Sequence, residues 1–157
     1  MRRRISIAAL VPFSNNHDVG NPPGFDLLPG LHVLVVDDNR DARDIFRTVL
    51  QYCGALVSTV SSARAALKLL EHVKPDLLLS DLAMPGKDGE WLIRNVRKLR
   101  KDRGAEIPAL AVSAHDDAYL RETILAAGFQ DYLVKPVNFR ELCQAINRLT
   151  ISAQTGR

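Results

Sequence analysis

"VLVVDDNRDA", residues 33–42, runs four consecutive β-formers straight into two adjacent acids, Asp37 and Asp38. Asp41 adds a third negative charge within the stretch, and Arg40 supplies one positive charge. An apolar run of this kind reads as a buried strand, and a buried strand that ends on two unneutralised carboxylates needs a reason.

The rest of the chain supplies the frame. After the acids, Ala42, Ile45, Phe46, Val49, Leu50 and Cys53 recur with the i, i+3, i+4 rhythm of an amphipathic helix, closed by Gly54. "ALVSTV" is a weaker strand, and Ser61 or Ser62 can cap a helix that puts Ala63, Ala66, Leu67, Leu70 and Val73 on one face. "DLLLSD" is a third strand. After the turn "MPGKDG", Leu92, Val96 and Leu99 are in step along "EWLIRNVRKLRKD". "IPALAVSA" is a fourth strand, followed by Leu120, Ile124 and Ala127 and then Gly128 as a helix stop. "DYLVKP" is the fifth, halted by Pro136. Asn138 and Glu141 have capping-box spacing ahead of Leu142, Cys143, Ile146 and Leu149. Five β–α units with strands apolar throughout predict a parallel sheet covered on both faces, a doubly wound α/β architecture.

In such a sheet, ligands bind beyond the carboxyl ends of the strands. The first strand ends on Asp37 and Asp38, the third on Asp81, the fourth on Ser113 and the fifth on Lys135; only the second brings no charged group. Any one of these has an ordinary explanation, as a helix-start charge, a turn former or a solvated strand end. Together on one rim they form a constellation. Each close pair of carboxylates repels by about 4 kcal/mol at about 4 Å and an effective dielectric near 20. A hard divalent cation relieves that repulsion, and an all-oxygen donor set with room for water favours Mg²⁺. Three acids, one lysine and one Mg²⁺ balance in charge. Such a site suits transfer of a phosphoryl group to a carboxylate, with lysine, hydroxyl and cation meeting the charge on the phosphoryl oxygens.

Composition narrows the classes. A hydrophobic content of 46%, a charged content of 25% and a net charge of +3 describe an ordinary globular chain without the basic excess of a nucleic-acid binder. Residues 14–30 hold three of the eight prolines and three of the nine glycines, so residues 1–30 are expected to be a flexible tail. The start, "MRRRISIAALVPF", lacks the cleavage site of a secretory signal, and no segment reaches the roughly 20 apolar residues that span a bilayer. Cys53 and Cys143 have no metal-ligand spacing and read as buried thiols in a reducing compartment, which makes the expected location cytoplasmic.

"VVDDN", "LLLSDLAMPGKDG", "AVSA" and "DYLVKP", at these separations, resemble the receiver domain of bacterial two-component response regulators over about residues 31–150, with 151–157 a C-terminal tail. The resemblance implies a flavodoxin-like (β/α)5 fold with strand order 2-1-3-4-5. It implies that Asp81 is the phospho-acceptor, that Asp38 binds Mg²⁺ directly and Asp37 through water, and that Ala83 offers the metal its backbone carbonyl. Ser113 matches the hydroxyl that moves to the phosphoryl group, Lys135 its paired lysine, and Tyr132 the aromatic that changes rotamer on activation. Ala83 and His115 stand at positions that influence phosphoryl lifetime in the family.

The function so implied is a phosphorylation-dependent switch, not an enzyme. A partner histidine kinase or phosphotransfer protein would charge it, and it would signal through the fourth helix, fifth strand and last helix. Because only "ISAQTGR" follows Thr150, no DNA-binding output domain is expected. The same motifs also resemble receivers fused to hybrid sensor kinases, so a kinase fragment or a phosphorelay intermediate is the alternative. An Asp-nucleophile hydrolase fits less well, because "DDNRDA" lacks a D-x-D spacing and no insertion could form a cap. A phosphate-independent pseudo-receiver would be expected to have lost some of the acids or the lysine.

Overall fold

A computed structural model describes residues 27–156. Its strands are β1 (His32–Val36), β2 (Leu56–Val60), β3 (Leu77–Asp81), β4 (Ala109–Ser113) and β5 (Asp131–Val134). They alternate with the helices α1 (Arg40–Tyr52), α2 (Ala63–Leu70), α3 (Gly89–Arg97), α4 (Ala118–Ala127) and α5 (Phe139–Thr155). The strands form one parallel sheet in the order β2-β1-β3-β4-β5, so the expected flavodoxin-like topology is the one observed.

The unbroken apolar runs follow from burial on both faces. Successive side chains leave a strand on opposite sides. Val33 and Val35 of β1, Leu77 and Leu79 of β3, and Leu110 and Val112 of β4 pack with Phe46 and Leu50 of α1 and Leu142 and Ile146 of α5. Their neighbours Leu34, Val36, Leu78, Ala109 and Ala111 pack with α2, α3 and α4 through Ala66, Leu92, Val96 and Ile124.

Each of these five α-helices starts in the segment beyond the carboxyl end of a strand, on a side chain that accepts from a backbone N–H of the first turn: Asn39, Ser62, Asp88, Asp117 and Asn138. The caps therefore crowd the same edge as the polar strand ends and set the entry angle of each loop there.

Three boundaries differ from the sequence reading. Residues 1–26 of the expected tail lie outside the described residues, but residues 28–30 belong to the packed body. Leu28 is fully buried, and its N–H donates to the Cys53 carbonyl at 2.7 Å, as Gly30 N–H does to the Gly54 carbonyl at 3.1 Å. Two carbonyls at the end of α1 thereby gain donors, and an apolar side chain closes the α1–α5 core. At the other end, residues 151–155 are helix and not tail, because α5 continues past the buried Thr150, whose hydroxyl bonds the Ile146 carbonyl. Finally, α3 stops at Arg97 and not beyond Lys101. The Arg97 guanidinium turns to the carbonyls of Ala105, Ile107 and Gly128, folding the chain back toward β4.

Cys53 and Cys143 are both buried, as expected, and they also meet, with their Sγ atoms 3.3 Å apart between α1 and α5. Among the described residues, no helix is long and apolar enough to cross a membrane.

Candidate metal and phosphoryl site at the carboxyl edge

The loops after β1 and β3 bring Asp37, Asp38 and Asp81 together, with one carboxylate oxygen from each within 4.8 Å of the others. Asp37 and Asp81 are almost fully buried at 1% and 5% exposure, while Asp38 faces solvent. One Asp37 oxygen accepts from the Asn39 N–H at 2.9 Å; the other is buried and accepts no hydrogen bond. Burial, reinforced by repulsion from Asp81 and Asp38, holds the Asp37 carboxyl above its ordinary pKa, against the opposing pull of the Asn39 N–H and Lys135. An unsatisfied buried oxygen beside two further carboxylates is a donor set that fits a cation, and hard oxygens suit Mg²⁺ or a similar divalent ion.

Asp81 is held from both sides. Lys135, the residue after β5, places Nζ 3.3 Å from Asp81 Oδ2, and the Ala83 N–H donates to Oδ1 at 3.3 Å. The loop after β3 must then pass close behind the strand end. It does so at Gly89, where a Cβ would lie 2.4 Å from the Asp81 carbonyl oxygen. Glycine is thus required by close approach of backbone to backbone. "MPGKDG" reads from sequence as a turn; that its last glycine packs against the Asp81 backbone is a tertiary fact.

Ser113 and Tyr132 reach the same edge but point into the β4–α4 loop. The buried Ser113 hydroxyl donates to the His115 carbonyl and accepts from the His115 N–H, both at 3.0 Å. The half-buried Tyr132 donates its hydroxyl to Asp116 Oδ1 at 2.8 Å, and that bond raises the phenol pKa. Asp116 carried no motif and was invisible in the sequence. Arg43 was also missed; its Nη1 donates to the Asp37 and Asp38 carbonyls at 2.8 and 3.1 Å. His32 bonds the Ser58 hydroxyl at 2.8 Å, away from this edge, and His17 lies outside the described residues.

Comparison with known proteins bears on the family and the fold. The family model for the response regulator receiver domain matches residues 33–147. An uncharacterized 14.6 kDa protein of Leptolyngbya boryana is 42% identical over 125 residues, which is 80% of this chain and 94% of that protein. The sensor histidine kinase GacS of Pseudomonas protegens is 35% identical over 119 residues, 75% of this chain but only 13% of the kinase. Among solved structures, the chemotaxis protein CheY4 of Vibrio cholerae superposes with a TM-score of 0.71 at 28% identity, covering 76% of this chain and 98% of that one. The receiver domain of a Pseudomonas aeruginosa sensor histidine kinase, solved with magnesium in its active-site cleft, gives 0.70 at 30% identity, covering 77% and 98%. A family match across most of the chain, on a sheet of the expected order with three acids and a lysine gathered at one edge, makes this protein a member of the response regulator receiver family, the phosphorylation switches of two-component signalling.

Proposed function

We propose that Asp81 accepts a phosphoryl group from a phosphohistidine on a partner kinase or phosphotransfer protein, in a Mg²⁺-dependent reaction, and that the chain then signals through protein contacts. The observation that carries this is the Asp81 carboxylate itself, buried at a strand end with Lys135 at 3.3 Å and two further acids within 4.8 Å. Asp37, Asp38 and the Ala83 carbonyl would hold the cation. When bound, Mg²⁺ supplies positive charge that neutralises the acids and the incoming phosphoryl oxygens.

The chain's own groups divide the remaining work. Asp81 is the nucleophile: one of its oxygens forms the bond to phosphorus as the bond to the donor histidine nitrogen breaks. Lys135, now paired with Asp81, would turn to a phosphoryl oxygen when that carboxylate becomes an acyl phosphate. Ser113 would leave its bonds to His115 and donate to another phosphoryl oxygen, and Tyr132 would leave Asp116, passing the change to α4, β5 and α5. A group that is charged once and then read by a partner acts as a switch and not as a turnover catalyst.

Labelling with acetyl phosphate in Mg²⁺ tests the assignment. The wild-type chain should take up one phosphoryl group and Asp81→Asn none, with the fold retained; label persisting at full stoichiometry in Asp81→Asn would refute it. The match to a small part of GacS favours a second reading, in which this receiver works within a hybrid kinase or a relay. Phosphoryl passage from Asp81 onward to a histidine-containing phosphotransfer protein would distinguish that role from a terminal switch.

A further inference from the structure

We propose that Arg43 is the positioning residue of the metal-binding turn: by clamping two successive main-chain carbonyls it forces the adjacent acids Asp37 and Asp38 to serve one site. The inference rests on the Mg²⁺ reading given above. Along an extended strand, neighbouring side chains point to opposite faces and neighbouring carbonyls alternate as well. Two consecutive aspartates therefore cannot share a site while the strand continues. Asp37 is still in the ladder, its N–H donating to the Val60 carbonyl of β2 at 3.2 Å. One residue later the chain has turned, and both carboxylates reach the same cluster.

Arg43 spans that turn. It is half-buried in the first turns of α1, and a single nitrogen, Nη1, donates to the Asp37 carbonyl at 2.8 Å and to the Asp38 carbonyl at 3.1 Å. Its neighbours on α1 behave differently. Arg40 and Arg47 pair with the Asp44 carboxylate, at 3.9 and 3.6 Å. A cation near the positive end of a helix is unfavourable by itself, so a guanidinium committed to the backbone here points to positioning. It bonds the two residues whose side chains form the cluster, and it draws their carbonyls to the side of α1. Groups that orient metal ligands from outside the coordination sphere typically change metal affinity by about 10- to 100-fold when removed.

The sign of the effect separates this role from simple charge. Removing a positive charge beside an acidic site should tighten Mg²⁺ binding; removing a clamp should loosen it. Amide NMR titration with Mg²⁺ gives the dissociation constant and reports the fold in the same spectra. For Arg43→Ala the constant is expected to rise about 10- to 100-fold over wild type, with Arg43→Lys in between because an ammonium can also donate to a carbonyl. Arg40→Ala, a charge control on the same helix, is expected to bind as wild type or more tightly. A folded Arg43→Ala that binds Mg²⁺ as well as wild type or better would overturn the proposal, and so would an equal loss in Arg40→Ala. Should Arg43→Ala fail to fold, Arg43→Met keeps much of the stem but has no donor; wild-type affinity there would also overturn it. No Mg²⁺ binding by the wild-type chain would instead sink the metal reading, and this inference with it.

Discussion

Asp37 carries the strain of the site. Its burial, and after that the nearby Asp81 and Asp38, favour the neutral carboxyl over the opposing pull of the Asn39 N–H and Lys135, so its pKa lies above the ordinary 3.8. For a group whose folded pKa is raised, the stability is fully present below the unfolded value and is lost as pH rises through the folded one. Without metal, wild-type stability should therefore fall as pH rises from about 4, and Asp37→Asn should lose less over the same range. Near neutral pH the amide should be more stable by about 1–3 kcal/mol, the scale of an unsatisfied buried polar group. Mg²⁺ should reverse the order, adding about 2.7 kcal/mol to wild type at a hundred times its dissociation constant and little to the variant. Urea unfolding between pH 4 and 7.5, with EDTA or with Mg²⁺, reads both effects; a variant as pH-sensitive as wild type would contradict them. Gly89 gives a second test at this scale. Gly89→Ala must displace the backbone that carries Asp81, and overpacking of that kind costs about 1–3 kcal/mol. Labelling of Asp81 by acetyl phosphate should slow along with the loss of stability.

At the scale of elements, the β4–α4 loop holds both Ser113 and Tyr132 through adjacent residues, His115 and Asp116. Release of Ser113 toward a phosphoryl oxygen would gain a charge-assisted bond of about 1.5–3 kcal/mol, enough to change a population ratio roughly 10- to 150-fold. Ser113→Ala should accept the phosphoryl group but show little amide shift across residues 115–145 with beryllofluoride. Asp116→Ala should act in the opposite direction. With its hydrogen-bond acceptor gone, Tyr132 is no longer held to the loop, beryllofluoride should bind more tightly, and the phenol should titrate at lower pH than in wild type. Ultraviolet titration of the tyrosines checks the last point, and an unchanged titration curve would show that Asp116 does not hold the ring.

Across the whole molecule, the sheet divides the interior into two cores, one under α2, α3 and α4 and one under α1 and α5. Leu28 closes the second core from outside the five β–α units. Leu28→Ala should cost about 2–5 kcal/mol, as for other fully buried leucines. Asp81 lies at the carboxyl edge, whereas Leu28 bonds the loop that leads into the amino end of β2. The loss should therefore appear in thermal unfolding, with acetyl phosphate labelling at low temperature unchanged. Parallel loss of labelling would mean that the two ends of the sheet are coupled.

The fold was legible in the sequence because its signals are local. Period-3.6 apolar faces and unbroken apolar strands are set by chain geometry and by burial on both sides of a parallel sheet. The order of polar groups at the strand ends was equally plain, since each follows directly on a hydrophobic run. What only the tertiary structure decided are relations between distant segments. Arg43 could be read as one more arginine on a helix until its guanidinium met two carbonyls at the end of β1. Asp116 had no meaning apart from Tyr132, and Gly89 none apart from the backbone of Asp81. Leu28 stood in a proline- and glycine-rich stretch that local chemistry reads as tail, and α5 continued past the point where its apolar pattern thinned. Hydrogen bonds to main-chain carbonyls, close backbone approach and apolar closure of a core depend on which segments meet in space, and no periodicity along the chain records that.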